Sequence, residues 1–118
     1  MSGYVHVDAG EWPNGDTRFL AILKLEPGQL AAHTGVRFVE DRDDLDRVLV
    51  AVIESRATGH RYGLLRYERS PSAGTDVYSS KDLDPGIGLP DVLDSLGLTS
   101  DDVDCFWNGT ELIRPLSP

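Results

Sequence analysis

An Asn-Gly pair set between two β-rich runs is the strongest local constraint in this sequence. Val103-Asp104-Cys105-Phe106-Trp107 leads into Asn108-Gly109, and Thr110-Glu111-Leu112-Ile113 leads out. Both turn residues tolerate positive φ, which a tight type I′ turn demands at its central positions. The chain should therefore fold back here as a hairpin. A two-residue loop pairs Trp107 with Thr110, Cys105 with Leu112 and Val103 with Arg114. Val103, Cys105, Trp107 and Leu112 then share one face, a candidate core face. A competing signal overlaps this one. Thr99, with Asp102 three residues later, resembles a capping arrangement that would make 100–106 a short helix.

Upstream, Tyr4 to Asp8 alternates as a strand, and Gly10 to Asp16 carries the Pro, Asn and Gly of a turn. Arg18 to Leu25 is a second, strongly apolar strand expected to pair with the first. Pro27-Gly28 breaks it, Gln29 to His33 suits a short helical turn, and Val36 to Val39 reads as a strand.

Residues 43–57 carry two conflicting signals. Val48 to Ile53 is β-branched in composition, which suits a strand. Leu45, Val48, Leu49, Val52 and Ile53 fall at i, i+3, i+4, i+7 and i+8, one helical face. With Asp41 or Asp43 as a cap and Gly59 as a stop, the spacing predicts a helix. The alternative is a strand that runs into a hairpin through Thr58-Gly59.

Tyr62 to Arg69 and Thr75 to Ser80 read as strands joined through Ser70 to Gly74. An irregular connection, 82–88, then leads to a helix with Pro90 in its first turn. Val92, Leu93 and Leu96 form its apolar stripe, and Gly97 closes it. The order β-β-β-α-β-β-α-β-β implies a single α+β domain over 1–118. Its sheet should be mainly antiparallel, with two helices packed on one face.

At 118 residues, the chain is long enough to bury a core without disulfides or a metal. Its one cysteine, Cys105, forms no internal disulfide, and no apolar run approaches the ~20 residues of a membrane helix. The first residues lack the basic and apolar regions of a secretory leader, so a cytoplasmic protein is expected. The net charge is −9, and between Asp82 and Ile113 there are eight acids and no base. Such a field repels nucleic acid and anionic membranes and attracts basic protein surfaces.

Catalytic and metal-binding patterns are weak. Asp82-x-Asp84-x-Gly86-x-Gly88-x-x-Asp91 departs from the EF-hand pattern, with glycine at the third ligand position and leucine at the last. It reads more plainly as a turn feeding a helix. Glu40-Asp41-Arg42-Asp43-Asp44 reads as capping and solvation. His6, His33 and His60 lack metal-type spacing. Cys105 has acidic and aromatic neighbours, which suits a packed thiol better than a nucleophile. Gly86-x-Gly88 lacks the rest of a nucleotide loop, and no nucleophile elbow or phosphate loop occurs. Arg56, Arg61, Arg66 and Arg69 are too few for a nucleic-acid footprint. Trp12 and Trp107 are the largest apolar anchors.

No catalytic residue, cofactor or metal is therefore expected. The leading expectation is a non-enzymatic protein-binding module for a basic partner surface. Asp91, Asp94, Asp101, Asp102 and Asp104 would supply its field, and Trp107 an apolar anchor. By analogy of class alone, it compares with immunity- or antitoxin-type inhibitors. The alternatives are a ligand-binding domain or enzyme with His33 or His60 near carboxylates, and a homodimer paired through an edge strand.

Overall fold

A computed structural model of the chain describes residues 3–8, 16–43, 46–70 and 74–114. The predicted turn at 10–15, with Trp12, lies outside these residues, as do Leu45 and the middle of the 70–74 loop. The described residues form the α+β fold expected: one antiparallel sheet of eight strands and two helices. In chain order these are β1 (Tyr4–Val7), β2 (Thr17–Leu23), α1 (Pro27–Thr34), β3 (Val39–Asp43), β4 (Asp46–Ser55), β5 (Arg61–Tyr67), β6 (Thr75–Ser80), α2 (Pro85–Leu96), β7 (Val103–Trp107) and β8 (Leu112–Ile113).

The helix count holds, but the first helix is not at 43–57. That segment is β4, the longest strand, and the first helix is α1. The physical reason lies in burial on both sides of the strand. Ala51, Ile53 and Ser55 face the helices, while Val48, Val50 and Val52 are buried on the opposite face. A strand covered on both faces loses its alternation and reads as a continuous apolar run, which can mimic helical spacing. The β-branched composition was the better guide. Asp41 and Asp43 do not cap a helix but lie in β3, hairpinned onto β4.

The short turn expected at 29–33 extends to the eight residues of α1. Glu26 and Gln29 form a reciprocal capping box, in which Gln29 Oε1 accepts from the Glu26 amide at 2.9 Å.

The sheet order is β1-β4-β5-β6-β2-β7-β8, with β3 also on β4. β1 and β2 do not pair as expected. β1 lies on β4, and β2 lies between β6 and β7. The outer edge of β4 is covered by two segments in sequence, since Val7 pairs with Val52 and Val39 with Val50. Gly74 has a strict steric reason, because a Cβ there would lie 1.7 Å from the Leu23 carbonyl oxygen.

Both helices pack on one face. Leu30 of α1 and Val92, Leu93 and Leu96 of α2 meet Leu20, Leu23, Ile53, Tyr62, Leu64 and Val77 in one core. Removing that much apolar surface from water is the main stabilising term. α2 starts at Pro85, earlier than predicted, because Asp84 caps it by accepting from the Gly86 amide at 2.9 Å. Pro90 therefore sits inside the helix rather than in its first turn.

The C-terminal hairpin forms with a different register. Trp107 pairs with Leu112 and Phe106 with Ile113, so the loop holds four residues, 108–111. Asn108 Oδ1 sets this length by accepting from the amides of Thr110 and Glu111, both at 2.8 Å. Gly109 has φ +106°, a conformation that favours glycine. The competing signal is satisfied as well. Thr99 and Asp102 form a capping box around a 3-10 turn, Ser100–Asp102, which ends where β7 begins.

The predicted core face of this hairpin is divided. β7 and β2 shift register between Ile22 and Leu23, so Val103 and Phe106 pack in the helix-side core. Cys105 is buried on the other side, and Leu112 is 49% exposed.

Candidate protein-binding surface

The residues expected to bind a partner do not converge. Asp91 is buried on the inner side of α2. Asp94 is exposed on its outer side, and Asp101 is exposed on the 3-10 turn. Asp102 is half-buried, and its Oδ2 accepts from the Thr99 amide at 2.9 Å. Asp104 pairs with Arg114 at 3.5 Å, with both side chains substantially exposed. Trp107 shares a face with Cys105 and Ile22, the face opposite α1 and α2, so it stands on the opposite side of the sheet from Asp94.

Asp91 is the hub of a buried brace. Its Oδ1 accepts from Ser55 Oγ at 2.8 Å, and its Oδ2 accepts from Tyr62 Oη at 2.6 Å and Thr58 Oγ1 at 2.7 Å. The Ser95 hydroxyl donates to its backbone oxygen at 2.8 Å. Burial alone would raise the Asp91 pKa. The hydrogen bonds from Tyr62, Thr58 and Ser55, with the charge of His60, outweigh it and hold the carboxyl below the usual aspartate range. Burial, followed by the bond to Asp91 and its charge, pushes the Tyr62 hydroxyl well above its ordinary value.

This constellation is unsuited to catalysis. Ser55 is 1% exposed, so no substrate reaches it, and a carboxylate held ionised by three donors is a poor base. Its chemistry is structural: it ties α2 to β4, β5 and the turn between them. The sequence carries a trace of it. Gly88, Asp91 and Ser95 recur at helical spacing beside the apolar stripe, so Asp91 belongs to the inner face.

The acid-glycine loop does not converge on a metal. Asp84 is spent on capping and Asp91 points inward. No group of three or more potential ligands gathers among the described residues. No helix among them is long and apolar enough to cross a membrane. Cys105 is buried, and burial is the main cause pushing its thiol pKa up. His6 Nε2 is engaged in accepting the Arg37 amide at 3.0 Å.

No protein-family model, curated protein or solved structure matches this chain. Its function must therefore be read from its own surfaces. Asp82, Asp84, Asp94, Asp101 and Glu111 remain exposed across 82–113, and no base lies between them in sequence. Ile87 is 54% exposed on the same helix. Elsewhere charges come closer to balance. Between residues 37 and 69 there are seven bases and seven acids, with ion pairs Arg47–Glu40 at 3.7 Å and Arg61–Glu54 at 3.1 Å. A shallow cleft of about 310 Å³ there is lined by both signs of charge: Glu40, Arg47, Arg66 and Glu68 beside Val48 and Leu49.

Proposed function

We propose that this chain is a non-enzymatic protein-binding domain whose acidic side engages a basic surface of a partner. One observation carries the reading: the longest stretch of acids without a base leaves five carboxylates exposed, three of them (Asp82, Asp84, Asp94) on or beside α2. Capping does not neutralise Asp84 or Asp102, so both still contribute to the field. Such a field speeds encounter with a cationic surface and disfavours anionic ones. An inhibitor of the immunity or antitoxin type belongs to this class. Asp91 contributes no surface charge, and Trp107 is not part of this surface.

The test compares the wild type with Asp82→Lys/Asp94→Lys/Asp101→Lys, whose residues are exposed and lie outside the core. Partner capture from the source cells should be lost in the variant and should weaken steeply with salt in the wild type. Equal recovery by both proteins, or no partner at all, would overturn the reading. Circular dichroism confirms that the variant is folded.

A further inference from the structure

Among the described residues, both helices pack on one face of the sheet, and the opposite face, where Val50 and Cys105 are buried, has a carboxylate near its centre. Strand registers set a row across it: Cys105, Ile22, Asp76, Leu65, Val50 and Val39. Asp76 therefore stands directly between Ile22 and Leu65. Tyr78 lies two residues along the same strand and meets Phe19 edge-to-face at 6.1 Å. Val39 is 53% exposed, while Ile22, Leu65, Asp76, Tyr78 and Phe19 are half-buried.

Asp76 has no hydrogen-bond or ion-pair partner among the described residues. Arg66, whose charge acts on it, donates to the Gly74 carbonyl at 3.0 Å. Burial raises the Asp76 pKa, and Arg66 offsets only part of that. A half-buried carboxylate without a donor contributes less to the fold than a paired one. It becomes favourable once a cation reaches it, because the surrounding apolar groups strengthen the pairing. Aromatic rings beside it suit the alkyl stem and charge of the same cation.

We propose that the sheet face around Asp76, opposite α1 and α2, is a second docking surface, which takes a lysine or arginine side chain that a protein partner carries between apolar residues. The surface is independent of the acidic side, since Asp94 and Asp76 lie on opposite sides of the sheet.

The test is an NMR titration of the full chain with two amidated peptides, one with a lysine between leucines and one with norleucine in its place. The lysine peptide should shift the amides of Ile22, Leu65, Asp76 and Tyr78. It should bind about tenfold more tightly than the norleucine peptide, the scale of one charge-assisted contact. Asp76→Asn should abolish that preference, while Asp94→Lys should leave it intact. Asp76→Asn should also be at least as stable as the wild type.

Five outcomes would overturn the proposal. The peptides could bind equally, or the lysine peptide could fail to bind. Its shifts could fall on α2 and survive Asp76→Asn. Asp76→Asn could destabilise the protein, which would make the carboxylate structural. The same amides could shift with protein concentration alone, which would make a second copy of this chain the occupant. Loss of the acidic-side reading leaves these outcomes unchanged, because its variants do not touch Asp76.

Discussion

Asp91 and Asp76 stand on opposite sides of one sheet, and their surroundings treat the charge in opposite ways. On the helix side, three hydroxyls converge on Asp91 and hold it ionised. On the opposite side, Asp76 lies among Ile22, Leu65 and Tyr78 without a donor among the described residues. Burial acts on both in the same direction; only the donors differ. Whether an acid on this sheet is structural or available therefore depends on what points at it as well as on how deep it lies.

The largest expected effect tests the helix side. Asp91→Ala removes the acceptor for buried Ser55 and Tyr62, and should cost about 3–5 kcal/mol in urea unfolding. A loss under about 1 kcal/mol would show that the brace is replaced by water or by other partners. Tyr62→Phe removes one of three donors and should cost about 1–2 kcal/mol.

The two carboxylates should also differ in sign with pH. The Asp91 pKa is depressed in the fold, so its stabilisation is present above the unfolded value and lost as pH falls below about 4. The Asp76 pKa is raised, so its ionisation costs stability as pH rises through the folded value. Asp76→Asn should be neutral to stabilising at pH 7 and should flatten the pH dependence of stability just above pH 4, where Asp91→Asn flattens it below. Urea midpoints across pH 3–8 measure both. If the two variants changed the same limb of the curve, the contrast between the faces would fail.

A smaller effect is expected at the sheet edge. Burial and then Arg37 lower the His6 pKa, which keeps Nε2 free to accept the Arg37 amide. Its contribution is present above about pH 6.5 and is lost as pH falls through the depressed value. His6→Ala should remove that slope. His6 is exposed, so the change in midpoint should be small.

The legibility of the fold varied with how local its causes are. The Asn108 turn, the Thr99 capping box and the Thr75–Ser80 strand depend on neighbouring residues, and all three were readable. The hairpin register was not, because the Asn108 side chain chose a four-residue loop over a two-residue one. β4 was misread for the opposite reason: its pattern records burial on both faces, and nothing local reveals a second face. Of the candidate site, the acidic stretch was visible as composition. Its division into an outer ridge, a buried hub and a tryptophan on the far face was not.

The sequence by itself determined an α+β chain with antiparallel hairpins, a helix over the Val92–Leu96 stripe and a charge concentrated in its last third. Those properties follow from residue type and short-range spacing. Tertiary structure alone decided which acids face solvent, which strands neighbour one another and where Asp76 stands. β1 and β2 are adjacent in the chain yet four places apart in the sheet, and Asp76 meets Leu65 only through strand pairing. The physical reason is that a carboxylate's environment is set by groups brought together across the sheet. Sequence spacing carries no direct record of those contacts.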